Sequence, residues 1–202
     1  FPRNGYQIED GILRFQGDLA KPDEMATFAE RMASHGFQRT REWSGSGEDL
    51  IMYSMVLNAP IPLPSIQNDY LTVDIVPFMG ARALRITHNP TGKCITAYNK
   101  VKNLLFPFGG GEDSRIGGVY DSLEGGPMLQ AETVGSREKT DEITLEMAVH
   151  GLKITRHIAL ASDRPAVIFT TTVSNPGDQP QATRVKSHLE LDLGDLAATT
   201  LA

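Results

Sequence analysis

From Tyr70 onward the chain is a series of short runs that alternate apolar and polar residues, each closed by a turn signal. YLTVDIV, ARALRITH, KCITAY, MLQAETVGS, EITLEMAVH, LKITRHIAL, AVIFTTTV and TRVKSHLEL are separated by stretches such as PFMG, NPTG, PFGGGEDSRIGG, SREKTD, SDRP and SNPGDQP. A period of two belongs to a strand with one buried face, and short strands broken by Gly, Pro, Asn and Asp form the pattern of an all-β sandwich. In EITLEMAVH the residues Ile143, Leu145, Met147 and Val149 share one side. His150-Gly151 can then turn the chain straight into LKITRHIAL, so antiparallel neighbours are expected. No helix-length amphipathic segment interrupts the run, which argues against βαβ units and a parallel sheet.

The part before Tyr70 reads differently. KPDEMATFAERMASHGF predicts a helix from about Pro22 to His35, with Pro22 in the first turn, Asp23 and Glu24 at the positive end and Gly36 as the stop. Met25, Phe28, Ala29, Met32 and Ala33 recur on one face, the mark of a helix packed on a core. WSGSGED reads as a loop and LIMYSMVL as a strand, with Trp43 and Tyr53 as core aromatics. NAPIPLPS carries three prolines in five residues and cannot sit in a central strand. The expected organisation is therefore an N-terminal segment with its packing helix (1–58), a Pro-rich linker (59–68) and a β-sandwich domain (69–202), expected to be incomplete at its C-terminal end. The fold class is mainly β: an antiparallel β-sandwich with one N-terminal amphipathic helix.

Composition removes several functions. A formal charge of -6, with no basic stripe to offset it, repels a phosphate backbone, so no nucleic-acid partner is expected. The single cysteine, Cys94, cannot form an intrachain disulfide or a Cys-based zinc cage and reads as a small core residue. No apolar run approaches a membrane span. GGGED lacks the G-K-[ST] ending of a phosphate loop, and no His or carboxylate set has metal spacing, so neither cofactor nor metal is expected. The start FPRNGYQ, without an initiator Met or signal region, suggests a segment of something longer and leaves the compartment open.

The most informative stretch is RVKSHLELDLG. Val185, Ser187, Leu189 and Leu191 fall on one side and are expected to be buried, while Arg184, Lys186, His188, Glu190 and Asp192 fall on the other. That polar row is either a wet face or the wall of a site where carboxylates and imidazole meet hydroxyl pairs and cations meet a ring oxygen or a uronate. GGVYDSLEGGP places Asp121 and Glu124 three apart between glycines, as a turn or as a pair of carboxylates for acid and base work on a glycosidic bond. His88 and His157 read as surface or hydrogen-bonded histidines.

Three stretches carry a resemblance. NDYLTVDIVPFMGARALRITHNPTGKCI, with Pro77, Gly80, Ala81, Arg82, Thr91 and Gly92, resembles the opening unit of the galactose mutarotase-like β-supersandwich superfamily, found in aldose epimerases and in domains attached to glycoside hydrolases. GLKITRHIAL, AVIFTTTVSNPGDQP and RVKSHLELDLG resemble its next signature, and His188 falls on the position of a functional histidine. The resemblance implies a supersandwich whose polar sheet face contacts carbohydrate: His188 and Glu124 as candidate catalytic groups, Arg82, Asp121, Arg184, Lys186 and Glu190 as ligand contacts. LEGGP has Glu124 where mutarotases carry a second His, and the late catalytic carboxylate of the family would lie beyond Ala202. The first reading is thus a carbohydrate-binding module of a larger carbohydrate-active protein, with further chain, a neighbouring catalytic domain or a second copy as its protein partner. The alternatives are an aldose-epimerase-like or glycosidase-type enzyme, and a structural domain with no ligand.

Overall fold

The computed structural model describes residues 5–9, 12–18, 30, 33–44, 50–57, 63–78, 80–96, 111–116, 133–149 and 151–192. Every named strand pairing among them is antiparallel. The N-terminal segment contributes β1 (Gly5–Glu9), β2 (Ile12–Asp18), β3 (Phe37–Ser44) and β4 (Leu50–Leu57), in the sheet order β1-β2-β4-β3. Only β4 was legible as a strand in the sequence, and Trp43 belongs to β3 rather than to a loop. Most of the expected helix lies outside the described residues. Of its end, Glu30, Ala33 and Ser34 are helical, and Gly36 closes the turn with φ 89° and its N–H on the Ala33 carbonyl at 3.0 Å. His35 stacks on Phe78, ring centroids 4.6 Å apart.

The remaining strands build two sheets. One contains β5 (Ser65–Gln67), β6 (Leu71–Val76), β7 (Arg82–His88), β9 (Gly111–Ile116) and β14 (Val185–Glu190), in the order β14-β9-β7-β6-β5, with β8 (Lys93–Cys94) also on β7. The other is a meander of β10 (Thr133–Glu138), β11 (Glu142–Val149), β12 (Leu152–Leu160) and β13 (Val167–Ser174). Val149 pairs with Leu152 across His150-Gly151, and Gly151 has φ 77°, which makes the expected two-residue hairpin. Ile66, Leu71, Val73, Ile75, Ala83, Ile86 and Ile116 of the first sheet share one buried cluster with Ile143, Leu145, Met147, Ile154 and Ile158 of the second. Period-two alternation sends these residues to one side of each sheet, called inward below.

One stretch read as a turn is a strand. PFGGGEDSRIGG contains β9, whose inward positions are Glu112, Ser114 and Ile116, so two of three carry polar side chains and no apolar alternation marks them. Gly111 opens this strand with φ 80°, and a Cβ there would stand 2.2 Å from the Ala83 carbonyl oxygen. The glycine is thus required by close approach of two backbones, not by an anion. At the other end, Asn175 fixes the turn after β13: its Oδ1 accepts the Gly177 N–H at 3.0 Å and its Nδ2 donates to the Gln179 carbonyl at 2.7 Å. The chain then leaves the meander and enters the first sheet as β14.

Candidate functional site

The strands β9 and β14 form the flank where the chemistry gathers, and each face of the pair differs. On the inward face, register sets Val185 opposite Ile116, Ser187 opposite Ser114 and Leu189 opposite Glu112. Glu112 is 1% exposed and ion-paired with Arg156 of β12, also 1% exposed. Ser187 Oγ donates to the other carboxylate oxygen of Glu112 at 2.8 Å. Ser114 and Thr171 of β13 share a hydroxyl–hydroxyl bond at 2.9 Å. The guanidinium of Arg156 also lies over the ring of Phe169, 6.0 Å from its centroid. Its Nε and Nη1 are buried and have no hydrogen-bond partner among the described residues.

The expectation that Leu189 and Leu191 are buried is overturned: both are 46% exposed, and Val185 is 50% exposed. Register puts Val185 and Leu189 on the predicted side, but among the described residues β14 is the last strand of its sheet, with β9 on one flank only. Past the strand, Leu191 bridges to Thr96, and the Asp192 N–H donates to the Ile95 carbonyl at 3.0 Å.

The other face carries the sequence candidates. His188 is half-buried and stands opposite Asp113, Lys186 is exposed opposite Arg115, and Glu190 is opposite Gly111. Arg184 is exposed just before β14. Arg82 immediately precedes Ala83, which pairs with Glu112, so Arg82, Asp113 and His188 hold neighbouring positions on three adjacent strands. Register thus brings together two residues chosen from sequence and adds a carboxylate position that the missed strand concealed. Arg82 is 1% exposed. Asp121 and Glu124 lie outside the described residues.

The other histidines are tied into local contacts. His88 Nδ1 shares a 2.8 Å bond with Thr91 Oγ1 in the turn after β7. His157 Nε2 lies 3.2 Å from Glu142 Oε2 on the outer face of the meander. There Lys139 also pairs with Glu142, and the bonds from Lys139 and then His157 hold its carboxyl below the usual range. Cys94 is free and sits 3.5 Å from the Thr96 carbonyl oxygen. Among the described residues no group of three or more His, Cys, Asp or Glu is placed to hold a metal ion, and no helix is long and apolar enough to cross a membrane.

Sequence reasoning passed over Glu112, Ser114, Arg156 and Thr171. Arg156 carried a signal: alternation in LKITRHIAL puts it on the side of Leu152, Ile154, Ile158 and Leu160, where an arginine must have a partner. Glu112 carried none, because its strand was not visible.

Compared with known proteins, the chain matches no family model, no curated protein and no solved structure.

Proposed function

We propose that the chain is a carbohydrate-binding module of a larger carbohydrate-active protein, its two C-terminal sheets forming a β-sandwich of the galactose mutarotase-like kind. The observation that carries this reading is the half-buried imidazole position His188 on β14, with Lys186 exposed two residues before it and Arg184 exposed just ahead of the strand. An imidazole and two cations at alternate positions into and along one strand supply hydrogen bonds that sugar hydroxyls or a uronate can use, and a sheet holds them at fixed spacing.

The test is calorimetric titration of the chain with a panel of neutral and acidic sugars. His188→Ala is expected to lower affinity roughly threefold to tenfold, the worth of one hydrogen bond, while a half-buried site should lose no more than about 1.5 kcal/mol of stability. Absence of binding to every sugar, or unchanged affinity in His188→Ala, would overturn the reading. The second reading, an aldose-epimerase-like enzyme in which His188 exchanges a proton with the sugar, draws on the half-buried setting of that imidazole on β14. Polarimetry of aldose mutarotation separates the two: a module gives no rate above buffer, an enzyme gives a rate that disappears in His188→Ala.

A further inference from the structure

We propose that the inward side of β14, beside the Arg156–Glu112 pair, binds an uncharged amphiphile, its alkyl chain along Val185, Leu189 and Leu191 and a hydrogen-bond acceptor of its head group on the guanidinium of Arg156. Two independent observations converge here. The first is polar. Arg156 is 1% exposed, yet only Nη2 is bonded, to Glu112, while buried Nε and Nη1 have no partner among the described residues. Buried donors left unmade are costly, so such a group marks a place where an acceptor is missing.

The second is apolar. Val185 and Leu189 are inward residues of β14, on the sheet face that carries Glu112 and Ser114, and Leu191 follows just past the strand in a bridge to Thr96; each of the three is about half exposed. They extend the interior surface to the solvent boundary. Ser187, exposed and in the same row, bonds directly to Glu112, so the buried ion pair lies one side chain from water. Leu189, directly opposite Glu112 in register, therefore puts exposed aliphatic surface beside the buried ion pair.

Charge decides the class of ligand. Glu112 already neutralises Arg156, so a carboxylate arriving at the remaining donors would face the Glu112 carboxylate, and a cation would face the guanidinium. A neutral acceptor, such as an ester carbonyl or a hydroxyl, meets neither objection. The exposed apolar surface contributes three aliphatic side chains and no aromatic ring, which suits a chain better than a stacked sugar. This site lies on the opposite face of the sheet from His188 and stands or falls separately from the carbohydrate reading.

The experiment is calorimetric titration of the whole chain with 1-monodecanoylglycerol, decanoate and decyltrimethylammonium, each below its micelle concentration. The glyceride is expected to bind, with the two charged probes weaker by about tenfold or more. Arg156→Met/Glu112→Leu, which removes both charges together, should abolish that preference. Leu189→Asp, at an exposed position, should weaken the glyceride about tenfold with the fold intact by circular dichroism. No binding of the glyceride, equal binding of all three probes, or unchanged glyceride affinity in Leu189→Asp would each overturn the proposal.

Discussion

The two C-terminal sheets meet over two unlike surfaces. Where β6 and β7 face β11 and β12, the shared interior is aliphatic: Val73, Ile75, Ile143 and Ile154 are each fully buried. Where β9 and β14 face β12 and β13, it is polar: an ion pair, a hydroxyl pair and a serine on a carboxylate. Both surfaces are built by period-two strands, so secondary structure does not distinguish them. The apolar surface gains from every methylene removed from water, in any well-packed arrangement. The polar surface gains only in one register, because a slip of one residue would turn Glu112 to the other face and leave the Arg156 guanidinium buried without it. The expected division is that the first surface supplies most of the stability and the second selects the alignment of β9 and β14.

That division gives the largest expected effect. Arg156→Met leaves the Glu112 carboxylate buried and uncompensated, which should cost about 3–5 kcal/mol. Arg156→Met/Glu112→Leu removes both charges and should restore most of that loss, because apolar side chains of similar volume often replace a buried pair at no net cost. Urea denaturation of the two variants beside the parent chain measures both numbers. A double variant as unstable as the single one would show that the pair contributes stability rather than alignment.

A second pair of substitutions sharpens the comparison at the point where β9 meets β7. Gly111→Ala would drive a Cβ to within 2.2 Å of the Ala83 carbonyl oxygen at a φ of 80°, and backbone cannot give way as a flexible side chain can. Overpacking and left-handed strain together should cost on the order of 3 kcal/mol. Gly92→Ala shares the positive φ, at 65°, but meets nothing within 4 Å, so only the strain of about 1 kcal/mol is expected. Equal losses at the two glycines would mean that β9 is not pressed against β7.

The same contrast explains what could be read in advance. The apolar surface was legible: β11, β12 and β13 appear within a residue of where alternation sets them, and the His150-Gly151 hairpin follows from spacing. The polar surface was not. β9 carries Glu112 and Ser114 on its inward side, so its burial pattern contradicts its hydropathy, and its glycine looked like loop chemistry. Val185 and Leu189 were assigned to the side of β14 that register confirms, but whether that side is covered depends on strand order, which is a property of the whole sheet. His188 and Arg82 were singled out by pattern and resemblance; that Asp113 stands between them follows from register alone.

The smallest expected effect concerns a carboxylate in the opposite setting, on the solvent side of the meander. Glu142 accepts from Lys139 and lies 3.2 Å from His157 Nε2, and these bonds lower its pKa from an ordinary 4.5, Lys139 first and His157 second. Lys139 is raised in return from 10.5, chiefly by its bond to Glu142. The signs follow from which form the fold favours. A lowered carboxylate contributes stability above its unfolded pKa and loses it as pH falls through the folded value, so this contribution fades on acidification below 4.5. A raised lysine contributes below 10.5 and loses that as pH rises through its folded value. Both groups are in water, so salt should screen the interaction, whereas the interior Arg156–Glu112 pair is shielded from it. Carboxyl-detected NMR titration of Glu142 provides the measurement. Its midpoint should lie below 4.5 in the parent chain, rise toward that value in Lys139→Ala, and rise by less in His157→Ala. A larger rise in His157→Ala would make the imidazole, rather than the ammonium, the group that holds Glu142 ionised.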